Sequence, residues 1–198
     1  VFARISELAD ADERRRILKK LPQRKVLLAD FALLWKVYEL LLEQEDQLRD
    51  ELVRLARREP QVRRFTAVPG IAWIRAITFF VYIDTPHRFR SKSALWRYSG
   101  IGLERKRSGN GPTRVRVAQG ANHRLKNVLL GAAKTAIIAA DNPFADKYRY
   151  WTLEEGEHPS TARRNVARCQ ASVLWSMWKT GSPYDPALVR GVGRPSLK

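Results

Sequence analysis

The residues best suited to chemistry lie in the segment "GLERKRSGNGPTRVR", residues 102–116. Its candidate nucleophile, Ser108, precedes Gly109, whose missing side chain would let a sugar-phosphate chain approach closely. A serine hydroxyl attacks poorly unless a base accepts its proton or the target is strongly polarised. The basic residues around the serine could supply that polarisation by neutralising the non-bridging oxygens of a phosphodiester. These residues are Arg105, Arg107, Arg114, Arg116 and Arg124, and Lys106 is a further candidate for nucleic-acid binding.

From residue chemistry alone, attack by Ser108 on a phosphodiester, which would give a covalent phosphoserine, is the less favoured of two interpretations of this segment. A second interpretation stays open, in which the segment is a basic binding loop and Ser108 only hydrogen-bonds a phosphate, because Ser-Gly pairs are common in loops. Ser99 is the nearest rival nucleophile, but it lies at the end of a predicted helix, where we expect it to be packed.

Metal-dependent chemistry has little support in the sequence. The three histidines (His87, His123 and His158) show no metal-ligand spacing. Asp84 and Glu104 are the only acids between residues 61 and 126, and two isolated carboxylates are a poor basis for a metal-dependent nuclease. We expect no metal site in this chain.

The charge of the chain points to a polyanionic partner. The net charge is +17, and residues 61–126 hold most of it, with 14 Lys/Arg against 2 Asp/Glu, or +12. Such a field attracts nucleic acid through counterion release. A membrane surface is the weaker alternative, because no strongly amphipathic basic helix accompanies the charge.

Two further features could contact phosphates. The segment "NHRLKNVLLGAAKTAIIAA" predicts a helix with Asn122 as N-cap, and its first turns carry His123, Arg124 and Lys126. In "VPGIAWIRAITFFVYID", the turn at Gly70 opens a helix, as in a helix–hairpin–helix. A plain helix–turn–helix core piece explains this second segment equally well.

A long helix precedes these features. Residues 23–58 contain no Gly or Pro, and leucine recurs every seven residues at 27, 34, 41, 48 and 55. This pattern predicts a coiled coil, and the alternative is an amphipathic helix that packs on its own domain. Pro60 is expected to end this element.

The remaining pattern is mainly α, with "RVRV" as one short strand. We expect a long coiled-coil-like helix followed by a compact helical domain with a helix–hairpin–helix-like turn and a basic loop. The predicted divisions are a remnant of a preceding domain (1–22), the coiled coil (23–60), the helical domain (61–186) and a loose tail (187–198). The first residue is Val1, so we expect a fragment of a longer protein.

Composition also limits the compartment. No apolar run reaches 18 residues, so no membrane span is expected, and no signal peptide opens the chain. The single cysteine, Cys169, excludes an intrachain disulfide and fits the reducing cytoplasm.

The order of these segments resembles the C-terminal half of transposases of the insertion-sequence one-ten and eleven-eleven groups. These groups include bridge-RNA-guided recombinases, and a pilin-gene invertase is a relative. The resemblance rests on "VPGIAWIRAITFFVYID", "FRSKSALWRYSGIGLERKRSG", "NHRLKNVLLGAAKTA", "NPFADKYRYW" and "ARRNVARCQASVLWSMWKTGSPYD", which together cover about residues 65–186.

The resemblance implies a catalytic serine in the Ser-Gly pair, here Ser108-Gly109, and a coiled coil at residues 23–58. It also implies DNA and bridge RNA as partners, assembly into a homodimer or tetramer, and Mg²⁺ bound by a RuvC-like domain. This chain lacks the acidic set of that domain, so we expect no cofactor in the chain itself. One position departs from the family pattern: Ala121 stands where a glycine is usual, and Gly120 is shifted by one.

The leading hypothesis is a serine-dependent DNA recombinase domain. Two rivals stay open: a non-catalytic nucleic-acid-binding module and a coiled-coil assembly subunit. A covalent protein–DNA adduct would distinguish the first from the other two.

Overall fold

The structure is a computed structural model that describes residues 10–20, 24–106, 114–117, 120–139 and 141–191. The chain divides into two compact units, Val1–Asp50 and Glu51–Lys198. The predicted mainly α fold is confirmed. The helices are α1 (Ala11–Lys20), α2 (Lys25–Ala56), α3 (Pro60–Phe65), α4 (Trp73–Ile83), α5 (Lys92–Tyr98), α6 (His123–Ile138), α7 (Pro143–Arg149), α8 (Pro159–Thr180) and α9 (Pro186–Gly191).

Four shorter elements complete the secondary structure of the described residues. Strands β1 (Leu103–Lys106) and β2 (Arg114–Val117) form an antiparallel hairpin. A 3₁₀ turn spans Pro86–Arg88, and a π-helical turn spans Tyr150–Glu154. The "RVRV" strand was predicted, whereas its partner β1 lies in the segment that the sequence suggested was a loop.

Helix α2 is the long helix that the sequence predicted. Its heptad leucines are between 41% and 69% exposed: Leu27, Leu34, Leu41, Leu48 and Leu55. The helix ends at Ala56, four residues before Pro60, and Pro60 itself begins α3. The first helical position suits proline, because its missing N–H would have no partner there.

Helices α4, α6 and α8 supply much of the core of the second unit. Phe79, Leu129 and Leu174, one from each of these helices, are fully buried. Phe65 of α3 packs edge-on against Phe79, with ring centroids 5.5 Å apart. This core fixes the position of α6, whose first turn belongs to the candidate site.

The helix starts show how local sequence signals set the boundaries. The Ser91 hydroxyl accepts a hydrogen bond from the Ala94 N–H at 3.2 Å and caps α5 as predicted. Helix α8 differs, because its cap is His158 and not the predicted Ser160 or Thr161. Pro159 accounts for the earlier start, since its fixed φ suits the first helical position.

The end of the described chain is more ordered than the sequence suggested. The exit of α8 at Gly181 is as predicted, with a left-handed φ of 67°. The tail predicted from residue 187 instead begins within α9, where Val189 is buried. Across the described residues, no helix is both long and apolar enough to cross a membrane.

Candidate nucleic-acid interface

The end of α5 and the start of α6 are held together at the root of the hairpin. The Asn122 N–H donates to the Tyr98 carbonyl at 2.9 Å. Gly100 adopts a left-handed φ of 66°, and a β-carbon there would lie 3.1 Å from the Ala121 β-carbon and 3.2 Å from Lys126 Cδ. Both the conformation and the narrow gap favour glycine at this position.

The hairpin leaves this junction through Gly102. The Gly102 N–H donates to the Trp96 carbonyl at 2.8 Å, and a β-carbon on Gly102 would overlap the backbone of Arg97. Strand β1 begins at the next residue, Leu103. The hairpin therefore begins three residues after Gly100, which packs against Ala121 and Lys126 at the start of α6.

The pairing of the two strands decides which basic residues share a face. Glu104 pairs with Arg116, Lys106 pairs with Arg114, and Arg105 pairs with Val115. Directly paired residues lie on the same face of a sheet, and successive residues alternate between faces. Lys106, Arg114 and Arg116 therefore share one face with Glu104, whereas Arg105 lies on the other.

The segment between Lys106 and Arg114 joins the two strands. It contains three predicted site residues, Arg107, Ser108 and Gly109, which lie outside the described residues. The pairing of Lys106 with Arg114 brings both ends of this segment onto neighbouring strands, about 5 Å apart.

The first turn of α6 forms the second part of the site. The Asn122 side-chain oxygen accepts from the Leu125 N–H at 2.9 Å, so Asn122 is the predicted N-cap. His123 and Arg124 are exposed, Lys126 is half-buried, and the turn has no acidic residue. Cations at a helix N-terminus oppose the helix dipole, and a bound anion would relieve that repulsion.

Ser99, the rival nucleophile, is unsuited to catalysis. Its side chain is fully buried, and its hydroxyl donates to the Leu95 carbonyl at 2.8 Å. The expectation that Ser99 is packed is confirmed.

Gly70 lies apart from the hairpin root. With a φ of 83°, it packs against the middle of α6, where a β-carbon would overlap the Ala132 carbonyl oxygen. Ala132 lies nine residues after His123, which is about 13 Å along the helix. The carbonyl of Gly70 accepts from Arg75 at 2.7 Å. This geometry gives Gly70 a packing role, and a phosphate contact there stays a prediction.

Acidic residues do not converge in the described part of the chain. Asp84 is exposed at the end of α4, and Glu104 lies in strand β1 of the hairpin. No group of three or more His, Cys, Asp and Glu residues that could hold a metal ion occurs among the described residues. These residues do not fit a Mg²⁺ site.

Sequence reasoning missed a cavity at the hairpin root. This cavity of about 380 Å³ is lined by Ser93, Trp96, Arg97, Gly102, Leu103 and Arg168. The spacing of Ser93 and Arg97, four residues apart on α5, was a signal that both lie on one helix face. Arg168 comes from α8, and its guanidinium donates to the Ile101 carbonyl at 2.7 Å.

Comparison with known proteins shows that the part of the chain holding this arrangement is similar to one protein family. Residues 62–149 match the family described as "Transposase IS116/IS110/IS902 family". This segment is therefore similar to the transposase domain of that family. The predicted site residues, from Gly70 to Lys126, all fall within the matched segment.

Two curated relatives are similar over a longer stretch. The transposase for insertion sequence element IS1111A of Coxiella burnetii (strain RSA 493 / Nine Mile phase I) is 22% identical over 153 residues, or 75% of this chain and 42% of that protein. The insertion element IS110 uncharacterized 43.6 kDa protein of Streptomyces coelicolor (strain ATCC BAA-471 / A3(2) / M145) is 25% identical over 152 residues, or 76% of this chain and 36% of that protein. The chain thus spans well under half the length of either relative.

Proposed function

We propose that this chain is the part of an insertion-sequence transposase that binds DNA and joins it to Ser108. The hairpin supports the proposal most directly, because a basic strand pair beside a cationic helix start flanks the Ser108 segment. The segment that is similar to the transposase family, residues 62–149, spans this whole arrangement and also supports the proposal.

In the proposed reaction, the Ser108 hydroxyl attacks a DNA phosphorus atom. A bond forms between the serine oxygen and phosphorus as the bond from phosphorus to a sugar oxygen breaks, and the released sugar oxygen takes a proton. The phosphodiester count is unchanged, so the linkage can be reversed to rejoin strands. Lys106, Arg114 and Arg116 share a face of the hairpin and would stabilise the charge on phosphorus oxygens.

The assignment of Ser108 is favoured by the burial of Ser99, whose hydroxyl is already engaged. The proposal also includes a cytoplasmic location, a bridge RNA as second nucleic acid, and a homodimer or tetramer formed through α2. Mg²⁺ would bind in a RuvC-like domain outside this chain, since the described residues do not fit it.

The test traps the full-length protein on a suicide DNA substrate with Mg²⁺. Wild type should form a phosphoserine adduct that mass spectrometry maps to Ser108. Ser108→Ala should lose the adduct but bind DNA within about twofold, because one hydroxyl adds little to a charge-driven interface.

Thr161→Ala removes an exposed hydroxyl from α8, at a position that does not line the hairpin-root cavity, and should keep the adduct, which controls for the loss of a hydroxyl elsewhere in the unit. An undiminished adduct in Ser108→Ala would contradict the proposal. Salt-dependent binding without any adduct in wild type would favour the non-catalytic binding module instead.

A further inference from the structure

A second, larger cavity lies in the same unit as the hairpin. Helices α5 and α8, the π-helical turn and the segment after α8 enclose about 510 Å³, a volume typical of small-molecule sites. Its walls are mainly apolar and include Trp96, Trp151, Val173 and Met177. The mechanism proposed for Ser108 makes no use of this space.

Hydrogen bonds hold the indole of Trp96 in place, whereas the bond at Trp151 fixes only its backbone. The Trp96 indole N–H donates to the Arg168 carbonyl at 3.2 Å and to the Ser172 hydroxyl at 3.1 Å. Trp151 belongs to the π-helical turn, and its carbonyl accepts from the Glu157 N–H at 2.8 Å. Such π-helical turns are rare and often occur at functional sites. Rigid indole faces provide stacking platforms for any nucleobase.

The described charged residues that line the cavity are two cations and one carboxylate, Asp185, so the lining is net positive. The two cations are Lys92 and Arg168, and among the described residues no salt bridge joins either of them to a carboxylate. The Arg168 guanidinium donates to the Asn165 side-chain oxygen at 2.9 Å, so its position is fixed. An apolar peptide in this cavity would cover these two cations with at most one counter-charge, that of Asp185, which is costly. A nucleotide supplies both a flat ring and a phosphate.

The cavity shares residues with the hairpin root. Trp96 and Arg168 line both this cavity and the smaller one beside Gly102 and Leu103. A nucleic-acid strand that follows the hairpin therefore passes next to the wall of the larger cavity.

We propose that the larger cavity binds one unstacked nucleobase, held against Trp96 and Trp151, with the adjoining phosphate near Lys92 and Arg168. The inference rests on the proposed nucleic-acid binding, but not on the Ser108 chemistry. Removing a base from its stack costs free energy, so the site selects a base that is already unpaired.

The first experiment measures binding of the chain to two duplexes that differ at one position. One duplex carries a single unpaired adenosine bulge, and the other carries an abasic residue at the same bulge. Wild type should bind the base-bearing duplex about tenfold more tightly, because stacking on an aromatic side chain contributes at that level.

A cavity-filling variant tests where the preference arises. Ser176 is exposed and lines the cavity, so Ser176→Phe should remove the preference while affinity for the abasic duplex stays unchanged. Thr161→Phe places the same side chain at an exposed position of α8 that does not line the cavity, and it should keep the tenfold preference.

A second measurement uses Cys169, the single cysteine of the chain, which also lines the cavity. Burial raises the pKa of its thiol, so alkylation is followed at mildly alkaline pH. The bulged adenosine should slow alkylation of Cys169 at least fivefold, and the abasic bulge should not.

Equal affinity of wild type for the two duplexes would overturn the base site alone. A preference that persists in Ser176→Phe, or equal alkylation rates of Cys169 with both duplexes, would also overturn it. If wild type bound neither duplex in a salt-dependent way, the result would contradict the proposed nucleic-acid interface and the base site together.

Discussion

At the scale of single residues, Asp84 adopts a backbone conformation that is costly for any residue with a side chain. Its φ is 66° and its ψ is −57°, and the Thr85 N–H donates across it to the Ile83 carbonyl at 2.8 Å. These values describe a γ-turn of the rare, strained kind. Glycine adopts such a positive φ without a steric penalty.

Asp84→Gly should therefore raise the free energy of unfolding by about 1 kcal/mol, since relief of strain exceeds the entropy cost of glycine. Urea denaturation measures this change. Asp84→Ala removes the same charge but keeps the β-carbon, so it should give no gain. Equal stabilisation by both variants would attribute the effect to charge and contradict the strain argument.

Residue types predicted part of the candidate site. The N-caps Ser91 and Asn122 could be predicted, because a short polar side chain just before an apolar helical segment commonly accepts a hydrogen bond from the first turn. The cavity residues Trp96 and Arg168 were not, because they converge from helices 72 residues apart along the chain. Ser108 stays a sequence prediction, since it lies outside the described residues.

At the scale of elements, the sequence located most helices but misjudged some of their ends. Proline in a sequence usually indicates the end of a helix. Pro60 and Pro159 instead occupy the first position of a helix. Only one strand of the hairpin could be predicted from the sequence. In "RVRV" polar and apolar residues alternate, whereas "LERK" has a single apolar residue and forms a strand because it pairs with "RVRV".

The contact of Gly70 with α6 is a second property of elements. Gly70→Ala should lower the free energy of unfolding by about 3 kcal/mol, because it adds strain at a positive φ and an overlap with the Ala132 carbonyl oxygen. Thermal or urea denaturation measures the loss.

Gly156→Ala provides the matched control. Gly156 also has a positive φ, 64°, but a β-carbon there meets nothing within 4 Å. Its replacement should cost only about 1 kcal/mol, the backbone part of the penalty. Equal losses in the two variants would mean that the Gly70 turn does not press against α6.

At the scale of the whole molecule, the exposed leucines of α2 are expected to meet another copy of the helix. Leu41 and Leu48 are 61% and 69% exposed, and burying each in a seam is favourable by about 2 kcal/mol. Replacing both by Asp should dissociate an oligomer, which light scattering detects as a lower mass.

Ala29→Asp with Lys36→Asp is the control pair for that experiment. Each position lies two residues after a heptad leucine, so it faces away from the seam by about 200°. This control should leave the mass unchanged. An unchanged mass in the leucine variant would refute pairing through the heptad and favour packing of α2 elsewhere.

The charge distribution of the whole molecule makes a prediction about how nucleic acid is bound. Residues 61–126 carry +12, and the hairpin places Arg114 and Arg116 on one face with Lys106. Each cation that neutralises a phosphate contributes about 0.9 to the slope of log affinity against log salt concentration. Replacing Arg114 and Arg116 by Gln should therefore reduce the magnitude of that slope by about 1.8, as measured by fluorescence anisotropy over a salt series.

The control must remove the same number of positive charges from a region that has no net positive charge. Arg15 and Arg49 are exposed in the first unit, where each is paired with a carboxylate, Asp12 and Glu45 respectively. Arg15→Gln with Arg49→Gln should leave the slope unchanged, because these cations already have counter-charges and contact no phosphate. A slope reduced equally by both pairs would mean that the net charge of the chain governs binding. A slope unchanged by the Arg114 and Arg116 replacements would remove the hairpin from the interface and leave the first turn of α6 as its remaining described part.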